Sequence, residues 1–254
     1  MITLIKNFIN KLLGMFNYQI TRKKFFTKIV EADDYYSTLM NKIKKISVTS
    51  TERQWALIQG LEYINKKKIE GNLVECGVFR GGNLILMNHV CNNLNLKKYI
   101  YAYDTFSGMT IPTKDDVEIG TNISANDIMS KTQKEKEKGN NIWCFASLEH
   151  VKSNLTKEFN NFENIKFIKG PVEETLLDLK NLPEKISFLR LDTDFYNSTK
   201  IELEILYPRL VKGGVLIIDD YGSWKGSRKA VDEYFKNENV WLHYIDKDSR
   251  LLIK

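Results

Sequence analysis

The chain has 254 residues, 43% hydrophobic and 28% charged, with 38 Lys and Arg against 32 Asp and Glu for a formal charge of +6. A chain of this length buries a core without disulfide or metal staples, and its ordinary apolar content excludes wholesale disorder. Cys76, Cys91 and Cys144 form no CxxC pair, which argues against a structural zinc site and for a reducing cytoplasm, and the small basic excess comes with no motif that would make nucleic acid a partner.

Ile2, Ile5, Phe8, Ile9, Leu12, Leu13 and Phe16 recur at helical spacing, which predicts an amphipathic helix over 2–16. Lys6, Asn7, Asn10 and Lys11 interrupt the apolar run and no small-residue cleavage site follows. The segment therefore reads neither as a secretory leader nor as a bilayer span. Its apolar face has two readings. It packs on the main domain or on another subunit of a homo-oligomer, or it makes peripheral contact with the inner face of a membrane, helped by Arg22, Lys23 and Lys24. Further helices are expected over 32–46 and 52–65, which completes an N-terminal helical extension of residues 1–70.

Beyond it the pattern changes. Short apolar runs at 73–78, 99–106, 165–168, 186–191, 215–218, 240–245 and 251–253 alternate with helical stretches. This predicts an α/β domain over 71–254, built on a Rossmann-like, mostly parallel sheet covered on both faces. The last two of its seven strands are separated only by the polar stretch 246–250, so they are expected to form an antiparallel hairpin. Such a sheet binds ligands at the carboxyl ends of its strands.

Strand one runs into Glu75-Cys76-Gly77-Val78-Phe79-Arg80-Gly81-Gly82. Glycines there let the backbone turn sharply and approach a cofactor, but the run lacks Gly-Lys-Ser/Thr and misses the dinucleotide pattern GxGxxG. Strand two ends in Asp104-Thr105-Phe106-Ser107-Gly108. An acid at that place accepts ribose hydroxyls of a nucleoside, or else only caps the following loop. Strands four and five emerge as Asp192-Thr193-Asp194 and Asp219-Asp220. Carboxylates so grouped repel one another unless a cation or a shared proton offsets the cost. Hard oxygen donors suit Mg²⁺, so Asp192, Asp219 and Asp220 are candidate metal ligands, whereas Asp194 alone also fits a helix cap.

Together with Tyr207-Pro208-Arg209-Leu210-Val211-Lys212-Gly213-Gly214, these segments resemble the TylF/MycF macrocin-type sugar O-methyltransferases over about 51–235. The resemblance implies a class I S-adenosylmethionine (SAM) methyltransferase fold, SAM and Mg²⁺ as cofactors, and methylation of a sugar hydroxyl. It places Glu75, Cys76, Gly77, Arg80 and Gly81 around the methionine part of SAM. Asp104, with Thr105 and Ser107, falls at the ribose, Gly170 and Val172 fall near the adenine, and Asp192, Asp219 and Asp220 fall on the metal. Thr193 stands where the family often has glycine. Residues 109–145 carry no family motif and are expected to cover the acceptor.

A sugar hydroxyl is a poor nucleophile at neutral pH until it is deprotonated or metal-bound, and Asp192 is the expected base. Phe195 and Tyr196 offer no lysine base of the kind used on catechols, which favours an aliphatic acceptor. The expected acceptor is a nucleotide-activated sugar for a capsule or other surface polysaccharide, whose phosphates suit a modest positive charge. The alternatives are a macrolide glycoside as acceptor, or a short-chain NAD(P)-dependent oxidoreductase or epimerase of a nucleotide sugar. Tyr196-x-x-x-Lys200 and Gly77-x-x-x-Gly81 speak for the latter.

Overall fold

The computed structural model describes residues 29–137 and 143–254; the helix expected over 2–16 lies outside them. Two helices come first, α1 (Asp34–Ile43) and α2 (Thr51–Lys66). Each begins at a side-chain cap: Asp33 accepts from the amide of Tyr36, and Ser50 from that of Arg53. Such caps satisfy amide groups that the first turn leaves without helical partners. Leu57, Ile58, Leu61 and Ile64 lie on one face of α2 and are buried in the same core as Leu73, Phe188 and Val215 of the sheet. The second helix thus covers the sheet directly.

The sheet is built from β1 (Asn72–Cys76), β2 (Ile100–Asp104), β3 (Ile165–Lys169), β4 (Ile186–Leu191), β5 (Leu210–Ile218), β6 (His243–Tyr244) and β7 (Arg250–Ile253). Its order is β3-β2-β1-β4-β5-β7-β6. All neighbours through β5 pair in parallel, and β7 is antiparallel to both β5 and β6, as the short polar connection predicts. Between the strands run α3 (Gly82–Asn93), α4 (Ala125–Glu137), α5 (Leu148–Thr156), the one-turn α6 (Val172–Thr175), α7 (Tyr196–Leu206) and α8 (Lys225–Tyr234). Two apolar layers result, one on each face of the sheet, which is what near-continuous apolar strands require.

Two strands differ from expectation. β5 starts at Leu210 rather than near 215, and its pairing with β4 jumps from Leu210 to Val215, so residues 211–214 bulge out of the ladder. The run 240–245 keeps only His243–Tyr244 as strand, both exposed at the sheet edge, where a single neighbour supplies the hydrogen bonds. Strand order reverses between β1 and β4, and a crevice opens at the carboxyl ends of such a pair. Among the described residues no helix is long and apolar enough to cross a membrane.

Candidate active site

The floor of the crevice is the turn from β1 to α3. Gly77 has φ +84°, and a Cβ added there would lie 1.9 Å from the carbonyl oxygen of Asp192. Only glycine lets the ends of β1 and β4 come so close. Asp104, at the end of β2, takes hold of this turn. Its Oδ2 accepts the amides of Val78 at 2.7 Å and Phe79 at 2.9 Å, and Oδ1 accepts the amide of Phe106 at 2.7 Å. A carboxylate has about four acceptor positions, so most of Asp104 is engaged in fixing the loops, and little of it is left over for a ribose. Phe79, Phe106, Cys144 and Asp194 all have positive φ, a cluster of uncommon backbone conformations of the kind that gathers at functional sites.

Opposite this turn stands a cluster of acids threaded by two arginines. Arg190, on β4, is fully buried; Nη1 lies 2.9 Å from Glu75 Oε1 and 2.8 Å from Asp192 Oδ2, and Nη2 lies 2.8 Å from Asp219 Oδ1. Arg53, from α2, donates to the other oxygen of Asp219, to Asp246 at 2.9 Å and to Asp248 at 3.3 Å. The set stays rich in negative charge, because among the described residues Asp194 and Asp220 stand beside it without a cation of their own, Asp220 accepting the amide of Asp194 at 3.1 Å. Burial pushes the carboxyl of Asp194 up to about 6, with Asp219 adding to the rise. Asp220 is pushed well up by burial and by the charges of Asp194, Asp192 and Asp219. Burial also raises Asp192 against the pull of Arg190, and raises Glu75 to about 7. Asp219 is held below its usual range by Arg190 and Arg53, which together outweigh the burial that acts the other way.

The two parts meet in a cleft of about 240 Å³. Of the expected residues, Gly77, Asp104, Thr105, Val172, Asp192, Asp219 and Asp220 line it. Six do not. Glu75 is fully buried, its Oε1 taken by Arg190, and Cys76 is buried in the core on the other face of the sheet. Gly81 is the left-handed residue before α3, Gly170 follows β3 outside the lining, and Ser107 is exposed beyond the turn at Phe106. Arg80 points into a neighbouring pocket with Lys45 and His150.

The cleft also holds residues that sequence reasoning missed: Arg53, Tyr103, Cys144 and Asp248. Met109, Thr110 and Cys144, from either end of the stretch 109–145, line it as well. Asp116 ties this stretch down, accepting the amide of Tyr196 at 2.7 Å and the hydroxyl of Thr113 at 2.8 Å. Cys144 is exposed at the rim, and desolvation by the cleft wall with the charges of Asp194, Asp192 and Asp220 pushes its thiol up to about 12. Tyr196 and Lys200 stand outside the cleft, with the Tyr196 hydroxyl on Glu233 at 2.7 Å, and so cannot serve as an oxidoreductase pair.

Asp192, Asp219 and Asp220 offer carboxylate oxygens within 4.8 Å of one another. At this level the fold matches known proteins. A profile of the family described as macrocin-O-methyltransferase (TylF) matches residues 43–250. The chain belongs to this family. Among TylF relatives, a demethyldecarbamoylnovobiocin O-methyltransferase of Streptomyces niveus is 32% identical over 178 residues, 69% of this chain and 62% of that protein. An 8-demethyl-8-(2,3-dimethoxy-alpha-L-rhamnosyl)-tetracenomycin-C 4'-O-methyltransferase of Streptomyces olivaceus is 32% identical over 167 residues, 65% of this chain and 58% of that one. The chain thus spans about three fifths of the length of these two relatives. The mycinamicin III 3''-O-methyltransferase of Micromonospora griseorubida is 24% identical over 231 residues, 90% of this chain and 84% of that protein. The solved O-methyltransferase NovP superposes with a TM-score of 0.69 at 27% identity, covering 82% of each chain. The class I methyltransferase fold is therefore present, and SAM and Mg²⁺, the cofactors expected from the sequence, are those of the TylF family.

Proposed function

We propose that the chain transfers the methyl group of SAM to a hydroxyl of a sugar acceptor, with Asp192, Asp219 and Asp220 as the Mg²⁺ carboxylates. The observation that carries this reading is the convergence of the three acids on the cleft that the Gly77 turn and Asp104 close from the other side. The donor set fits the ion: all three ligands are hard oxygens, and the excess of carboxylate over arginine leaves charge for a divalent cation to offset. When bound, Mg²⁺ lowers the pKa of a sugar hydroxyl and SAM supplies the electrophilic methyl.

The chain's own residues do the rest. Arg190 holds Asp192 by Oδ2, which leaves Oδ1 facing the cleft to take the hydroxyl proton. Gly77, Asp104, Thr105 and Val172 form the wall that receives SAM, and the 109–145 stretch brings Met109 and Thr110 over the acceptor side, excluding water. Burial of the acids strengthens each electrostatic contact there.

Two relatives are named for the methylation of a rhamnosyl-tetracenomycin and of mycinamicin III, which favours a glycoside acceptor over the nucleotide-activated precursor of a surface polysaccharide. A capsule role has no support in these likenesses. The test is incubation with SAM, Mg²⁺ and a panel of glycosides and nucleotide sugars, read as the gain of one methyl by mass. Asp192→Asn is expected to lower kcat about 10²–10⁴-fold while S-adenosylhomocysteine still binds. No methyl gain on any sugar, or an Asp192→Asn rate equal to the parent's, overturns the reading.

A further inference from the structure

Beside the reaction cleft lies a second concavity of about 430 Å³, lined by Lys45, Ile46, Arg80, Phe145, Ala146, Ser147, His150 and Asn154. Its volume falls in the range of small-molecule sites. Its charge is one-sided: Lys45, Arg80 and His150 face it, and no carboxylate lines it. Among the described residues, none of these three side chains has an ion-pair partner, and the guanidinium of Arg80 only rests over the ring of Phe79, 4.8 Å from its centroid. This contrasts with Arg53 and Arg190, each caged by carboxylates from distant parts of the chain.

Helix α5, nine residues long and capped by Ser147, begins at the same wall, so its positive end adds to the field. Three chain segments join this pocket to the reaction cleft. Val48, Phe79 and Cys144 line the cleft, while Ile46, Arg80 and Phe145, one or two residues away, line the pocket. A molecule whose sugar lies against Asp192 therefore has an unneutralised basic concavity next to it.

We propose that this pocket is a subsite for a phosphate group carried by the acceptor, held by Lys45, Arg80 and, when protonated, His150. The inference rests on the sugar-methylation reading and adds to it what the sugar carries. Two sources share this chemistry: the diphosphate linkage of an activated sugar, and a phosphate ester elsewhere on a glycoside. Unpaired cations that converge in a concavity bind phosphate strongly for their number, because no internal ion pair has to be broken first.

Binding is measured calorimetrically on the full chain with inorganic pyrophosphate, with a nucleoside diphosphate sugar and with a sugar monophosphate. Lys45→Gln and Arg80→Gln are each expected to weaken pyrophosphate about tenfold, with S-adenosylhomocysteine affinity unchanged. In turnover, Lys45→Gln is expected to raise KM for the phosphorylated acceptor while KM for a neutral glycoside and kcat stay as in the parent. A tighter response to the nucleoside diphosphate sugar identifies the linkage as the source, and to the sugar monophosphate, the ester. Three results overturn the proposal: pyrophosphate affinity equal in parent and variants, a parallel loss of S-adenosylhomocysteine affinity, which would assign Arg80 to the cofactor, or equal KM shifts for charged and neutral acceptors. Failure to methylate any sugar overturns the function instead, and the pyrophosphate titration still decides whether the pocket binds phosphate.

Discussion

The two sides of the cleft hold a carboxylate at a strand end by different means. Asp104 is gripped by three backbone amides of the loops around it. Asp219 is gripped by two arginine side chains, one from β4 and one from α2. The first arrangement comes with the local turn and brings no added charge. The second balances several buried acids with cations drawn from distant parts of the chain, and it holds only while every partner is present. The Asp104 side is thus a property of one supersecondary unit, and the Asp219 side a property of the whole domain.

The sharpest way to break this contrast is Arg190→Met, which strands Glu75, Asp192 and Asp219 together in a buried site. Removing one partner from a buried ionic cluster costs about 3–5 kcal/mol, to be seen as a lowered urea midpoint. Asp104→Ala is expected to cost less, about 1–3 kcal/mol, since amides rather than charges lose their partner, and it should weaken S-adenosylhomocysteine binding together with stability.

A pH series separates the sides further. Asp194 carries its proton up to about 6 in the folded chain, against 3.8 as the ordinary value. The folded state therefore holds more protons than the unfolded one between these values, and this acid's contribution to stability falls as pH rises through that window. Asp192 and Asp220, raised in the same direction, extend the fall to higher pH. Mg²⁺ favours the ionised forms, so the gain in Tm on adding Mg²⁺ should grow from pH 4 to pH 6 and beyond; a gain independent of pH would remove these acids from the ion's shell. The smallest effect is expected at Ser107→Ala, within about 0.5 kcal/mol and without loss of S-adenosylhomocysteine affinity, because that side chain is exposed outside the cleft.

What was legible in the sequence follows the same division. The sheet, its closing hairpin and the strand-end acids Asp104, Asp192, Asp219 and Asp220 are visible because motif, strand and position lie within a few residues of one another. Arg53, Asp246 and Asp248 are not, since only tertiary packing brings α2 and the turn before β7 to the end of β5. Arg190 left a signal that went unused: a lone cation in the otherwise apolar run of β4, Ile-Ser-Phe-Leu-Arg-Leu, must find buried acids. Arg80 and Ser107, expected at the cofactor, do not line the cleft, for a local reason. Left-handed backbone at Phe79 and Phe106, just before them, turns the chain at each point, and motif spacing does not reveal which way the next side chain then faces.

Arg53 has a consequence for how the protein is made. Two of its partners, Asp246 and Asp248, follow it by 193 and 195 residues. They leave the ribosome long after Arg53 does, and a domain folds as a unit while the chain emerges. Until then the nascent chain carries a crowd of buried acids without its full set of partners. The acids of the cleft thus reach their final arrangement only once residues 246–248 have emerged, and a chain ended by a nonsense codon before them would lose this arrangement although Asp192, Asp219 and Asp220 had been translated.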